Sequence, residues 1–208
     1  MKRRMKVIAV FSQKGGSGKS TTAIHLAVEA STAHKTALID ADGQGTGTAW
    51  AGGRTSEEPA VVPGAPSTIV DLLASAESEG FELVFVDCPP HIVAGAVELA
   101  SVADLVVVPV QPTFPDLAAL NAALSVVVAA GKPFVFVLTR ADNSAETREA
   151  IDKLAEVAPV CPTIISDRKA YQRALTTGSA VSETTTKRDA PARAETKAVY
   201  QWLMEKIK

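Results

Sequence analysis

The chain is 208 residues long, 47% apolar and 21% charged, with a formal net charge of −2. That size and balance fit one compact globular domain spanning 1–208, and exclude a disordered chain, a collagen-like chain and a coiled-coil rod. No apolar run approaches the ~18 residues needed to cross a bilayer. Two cysteines, Cys88 and Cys161, make neither a disulfide framework nor a four-ligand zinc site, which points to a reducing cytoplasm.

The chain starts basic and then apolar, but the stretch Val7–Phe11 is too short for a signal peptide and runs straight into glycines. It reads instead as the first strand. Further short apolar, β-branched runs follow at Thr36–Ile39, Leu83–Val86, Leu105–Val110, Pro133–Leu138 and Val160–Ile165. Such runs fit strands buried on both faces of a parallel sheet, with Pro162 demoting the last to an edge. After the glycines, Ala23, Leu26, Ala27 and Ala30 recur at helical spacing. Helices are also expected at 68–78, 92–101, 115–130, 143–157, 167–176 and 191–207. The Gly/Pro-rich stretch 52–66 reads as a surface loop, and 182–190 as a loop before the last helix. Alternating strands and helices predict a doubly wound, mostly parallel α/β sheet, with ligands beyond the carboxyl ends of the strands.

The chemistry concentrates first in Lys14-Gly15-Gly16-Ser17-Gly18-Lys19-Ser20-Thr21, between the first strand and the first helix. Glycines let the backbone curl so that successive N–H groups face phosphate oxygens, and the following helix adds its N-terminal dipole. Lys19 is placed to reach the β- and γ-phosphates, and the Ser20 hydroxyl to bind Mg²⁺. Asp40-Ala41-Asp42 ends the second strand, and four apolar residues run into Asp87, a pattern of the Walker B type. Cys88 reads as a small packing residue. Leu138-Thr139-Arg140 ends a later strand, and Trp50 and Trp202 read as packing residues.

The loop departs from the general P-loop pattern: Gln13 stands where its first glycine belongs, and Lys14 and Gly15 follow. In this it resembles the deviant Walker A family, K-G-G-x-G-K-[ST], which includes the ParA partition ATPases, MinD and the nitrogenase iron protein. Asp40–Gln44 resembles the family's D-x-D-P-Q, with Gly43 where proline is usual, and Asp87-Cys88-Pro89-Pro90 resembles its D-x-P-P. The resemblance covers nearly the whole chain and is nearest to small plasmid-type, ParF-like partition ATPases without an N-terminal helix-turn-helix domain.

The resemblance implies slow, Mg²⁺-dependent ATP hydrolysis in a homodimer that sandwiches ATP, stimulated by a ParB-like adaptor. Lys14 would reach the partner's phosphates, Asp42 would orient water, and Asp40 and Asp87 would support the metal. Thr139 and Arg140 would flank the adenine. It also implies nonspecific duplex DNA binding near the C-terminus and hence a nucleoid-associated cytoplasmic location. Residues 160–208 carry 9 basic against 5 acidic residues, where 1–159 carry 12 against 18. The candidates are Arg168, Lys169, Arg173, Lys187 and Arg188, with Arg193 and Lys197 following; on charge alone a solvated helical surface is the equal reading. DNA segregation is the leading expectation. The alternative is positioning of a non-DNA cargo, such as a chemoreceptor cluster or microcompartment. A MinD-like membrane role is disfavoured because the final helix's apolar face suits docking on the sheet. A nitrogenase-type iron protein is rejected on the cysteine positions.

Overall fold

The computed structural model describes residues 5–90 and 95–207. Seven strands form one parallel sheet in the order β3-β2-β4-β1-β5-β6-β7. They are β1 (Lys6–Val10), β2 (Thr36–Asp40), β3 (Ala60–Pro63), β4 (Leu83–Asp87), β5 (Leu105–Val110), β6 (Phe134–Ala141) and β7 (Ile165–Ser166). The helices are α1 (Lys19–Ser31), α2 (Thr46–Gly52), α3 (Ile69–Ser78), α4 (Ala96–Ser101), α5 (Phe114–Ala129), α6 (Ala145–Ala155), α7 (Lys169–Thr176) and α8 (Ala190–Lys206).

Strand alternation divides the core in two. Ile8 and Val10 of β1 point into a layer with Ala23, Leu26 and Ala27 of α1 and Val199 and Leu203 of α8. Val7, Ala9 and Phe11 point the other way, toward Leu73 of α3, Leu99 of α4 and Val127 of α5. The apolar face of α8 is therefore spent on the sheet, as its sequence predicts. Because both faces are covered, the central strands are apolar throughout.

Four local expectations change. The stretch 52–66 contains the edge strand β3, paired in parallel with β2 from Ala37–Ala60 to Asp40–Pro63. Helix α2, absent from the predicted elements, follows β2. The strand expected at Val160–Ile165 shrinks to Ile165–Ser166 plus one bridge from Val160 to Phe136, because the chain turns away around Pro162. The segment 182–190 holds two short 3₁₀ turns, Val181–Glu183 and Lys187–Asp189. The start of the helix expected at 92–101 lies outside the described residues; α4 covers its second half. No helix among the described residues is long and apolar enough to cross a membrane.

The topology sets up the site. β1 lies between β4 and β5, so the chain leaves it to one side for β2 and crosses to the other for β5. This is the switch point at which open α/β sheets form a crevice.

Candidate nucleotide-binding site

The loop between β1 and α1 is held in shape by side chains from later strands. Gly16 and Gly18 have φ of 80° and 90°, a region that side-chain-bearing residues avoid. The Gln111 amide donates to the Gly16 carbonyl at 2.6 Å, and the Thr139 hydroxyl donates to the Ser17 carbonyl at 2.7 Å. A peptide's N–H and C=O point in opposite directions, so pinning these carbonyls turns the N–H groups of Ser17 and Gly18 away from their anchors. A Cβ placed on Gly15 or Gly16 would meet nothing within 4 Å, so the loop's face is open. Lys19 opens α1 and is buried. Ser20 and Thr21 follow it along the same cleft.

The acidic strand ends meet beside this loop. Asp40 and Asp87 sit directly opposite each other in the β2–β4 register. One Asp40 oxygen accepts the Thr48 N–H at 2.7 Å and its hydroxyl at 3.0 Å. The other Asp40 oxygen and both Asp87 oxygens are buried without a hydrogen-bond partner. Burial pushes the Asp87 carboxyl up to about 7; the Ser20 hydroxyl and the Lys19 ammonium pull it down, while Asp40 and Asp42 push it up further. Buried, orphaned carboxylate oxygens beside a serine hydroxyl are a hard-oxygen donor set, the kind Mg²⁺ takes. Asp42 is buried at the cleft wall, where one carboxylate oxygen accepts the Gln44 N–H at 3.0 Å. Cys88 is fully buried and burial raises its thiol pKa, so packing is its role.

The cleft encloses about 420 Å³ and runs from Gly15–Thr22 past Asp42, Thr139 and Arg140 to Ile165–Arg168, Tyr171 and Gln172. Arg140 is exposed, has φ of 49°, and pairs with Asp167 at 3.5 Å. Lys14 does not line this cleft. It lines a separate small hollow with Ser12, Gln13, the end of β5 and α5.

The C-terminal cations divide into two groups. Arg168 lines the cleft and is bound by Glu195; Arg173 is paired with the buried carboxylate of Asp189. Arg193 donates to the carbonyls of Thr184 and Thr186. Lys169, Lys187, Arg188 and Lys197 are exposed. Thr48, Tyr171, Gln172 and Glu195 carry no motif, and only the neighbouring strand ends and the return of α8 bring them here. Trp50 is buried, with its Nε1 donating to the Ser179 carbonyl at 3.0 Å, so it packs as expected.

What the fold and cleft define is a class: an α/β nucleotide-binding protein of the P-loop kind. Comparison narrows this. A family model, the CobQ/CobB/MinD/ParA nucleotide binding domain, matches residues 8–181, and the chain belongs to that family. It is 33% identical to Maintenance of carboxysome distribution protein A of Gloeobacter kilaueensis over 204 residues, covering 95% of this chain and 94% of that one. It is 30% identical to the Chromosome-partitioning ATPase Soj of Thermus thermophilus over 144 residues, covering 55% and 58%. Its fold matches the ATP complex of a Cyanothece McdA variant with a TM-score of 0.79 at 19% identity, covering 97% of each chain.

Proposed function

We propose that this ParA-family ATPase positions a protein-bodied cargo of the carboxysome type, through a cycle of ATP-dependent dimerisation and hydrolysis. The observation that carries this reading is the breadth of the likeness to the carboxysome-distribution protein, which extends over 95% of the chain. The Soj match covers 55% of it. The weight therefore moves from DNA segregation, the leading expectation from sequence, to its alternative.

In this reading the triphosphate lies on the loop 14–21, with Lys19 neutralising the β- and γ-phosphates. Ser20, Asp40 and Asp87 would hold Mg²⁺; the three orphaned oxygens support that assignment. Bound there, the ion supplies charge neutralisation to the leaving phosphate. Asp42 orients the attacking water. Lys14, placed outside the cleft of its own chain, serves the partner's phosphates across an ATP-sandwiched homodimer. The ATP dimer holds nonspecific duplex DNA as a track through Lys169, Lys187 and Arg188, and an adaptor on the cargo stimulates hydrolysis. Dimerisation doubles the phosphates neutralised, so ATP switches DNA affinity on by counterion release.

Two measurements test the reading. Sedimentation with ATP or ADP, with and without duplex DNA, reads dimerisation and DNA binding together. Deletion of the gene, followed by imaging of shell-bounded bodies and by plasmid-loss counts, reads the cargo. Scattered plasmids with evenly spaced bodies would return the assignment to DNA segregation.

A further inference from the structure

Glu195 lies on α8, outside the loop and strand-end motifs, yet its carboxylate reaches the wall of the cleft that β7 and the start of α7 form. One oxygen accepts from the Ser166 hydroxyl at 2.8 Å and from Nε and Nη2 of Arg168 at 2.9 and 2.7 Å. The other accepts from the Tyr171 hydroxyl at 2.9 Å and the Ser166 N–H at 3.3 Å. All three residues it grips line the cleft, whereas Glu195 stands behind them. Its side chain is 13% exposed and that of Arg168 is 39% exposed. The carboxylate is saturated by donors from its own chain, so it acts by holding.

We infer that Glu195 is a positioning residue for nucleotide binding: it orients Arg168 so that the guanidinium walls the base end of the cleft. The inference rests on the reading of the cleft as a nucleotide site. Two of the five guanidinium N–H groups are engaged by Glu195, which leaves the planar face and the remaining donors for a ligand. A guanidinium fixed by two hydrogen bonds loses little further freedom when a purine stacks on it or accepts from it. Lysine provides neither the plane nor the fork. Arg168 thereby leaves the set of DNA-binding candidates and joins the nucleotide site.

The test is calorimetric titration of the full chain with ATP and, separately, with tripolyphosphate, which occupies the phosphate loop but has no base. Glu195→Gln, Arg168→Ala and Arg168→Lys should each weaken ATP binding about tenfold, the scale of one charge-assisted interaction. Tripolyphosphate affinity should stay at the wild-type value. The double variant Glu195→Gln with Arg168→Ala should be no weaker than the worse single variant, because one residue acts through the other. At saturating ATP, Arg168→Ala should leave duplex DNA affinity unchanged. Unaltered ATP affinity in Arg168→Ala, whose truncated side chain is partly exposed, would overturn the inference. So would an equal loss of tripolyphosphate, or a loss of DNA affinity alone. Wild-type protein that binds neither ligand would instead sink the nucleotide reading on which the inference stands.

Discussion

The two ends of the cleft treat their carboxylates in opposite ways. At the phosphate end, three buried oxygens of Asp40 and Asp87 have no hydrogen-bond partner, and burial lifts Asp87 to about 7. At the far end, burial also disfavours the Glu195 charge, but donors from Arg168, Ser166 and Tyr171 outweigh it and hold the carboxyl below its usual range. The first end leaves carboxylate oxygens unpaired at the strand ends beside the loop 14–21. The second has its charges neutralised in advance and works as a rigid wall. One cleft is thus flanked by unpartnered carboxylate oxygens on one side and by a fully hydrogen-bonded carboxylate on the other.

The largest test of this contrast is Lys19→Ala. Removing the buried cation leaves the triphosphate without its fixed counter-charge, and ATP affinity should fall by about 100-fold or more, read by calorimetry. Retained affinity would detach the phosphate end from nucleotide binding. Next is Asp42→Ala, which should keep ATP binding and dimerisation while adaptor-stimulated hydrolysis falls about 100-fold, the usual scale for a water-orienting group. Normal turnover would move that role to another residue.

Behind the satisfied end, burial holds the His25 imidazole down to about 4 from 6.5, against the Tyr171 backbone and the Glu183 charge, which favour the proton. A folded-state pKa below the unfolded one means that acid favours unfolding. This contribution is fully present above about pH 6.5 and is lost as pH falls toward 4, to an extent of about 3 kcal/mol. Urea unfolding at pH 7 and 4.5 should show a smaller pH dependence for His25→Gln, which keeps an acceptor for the Val181 N–H, than for wild type. The smallest expected effect is Asp87→Asn. Replacing an unpartnered buried charge should stabilise the nucleotide-free protein by about 1–3 kcal/mol in thermal unfolding at neutral pH, while Mg²⁺-dependent ATP binding weakens. A destabilised variant would show that the orphaned oxygens carry no stored cost.

The phosphate end was legible in the sequence because its residues are local. The segment 14–21, Asp40, Asp42 and Asp87 all sit at strand ends or in the loop beside them, and strand runs are visible as apolar stretches. The far end was not, because its logic spans α7 and α8: Arg168 reads as an exposed helix cation until Glu195, 27 residues later, is brought against it. The same holds for Arg173, whose partner Asp189 lies beyond the turn at Gly178. Helix α2 escaped because Thr46–Gly52 holds two glycines and two threonines, poor helix formers; contacts made elsewhere hold it, through Thr48 to Asp40 and Trp50 to Ser179. Strand β3 escaped because prolines bracket it, which an edge strand tolerates.

Trp50 gives that distant contact a further use. Its indole lies under the Arg54 guanidinium at 4.4 Å, and Arg54 in turn donates to Gly178 and to the Glu183 carboxylate. A Cβ on Gly178 would come within 2.3 Å of the Gly53 carbonyl, so the backbones touch there with no room for slack. The indole is therefore clamped between the helix that follows Asp42 and the turn that follows α7. Trp202, the other tryptophan, sits on α8 beside Lys206. Indole emission depends on the charge and polarity around the ring, so any shift of α2 during turnover would change the colour or yield of one of only two emitters. Trp50 emission would therefore report any displacement of α2 against the turn at Gly178, readable in a cuvette without a dye.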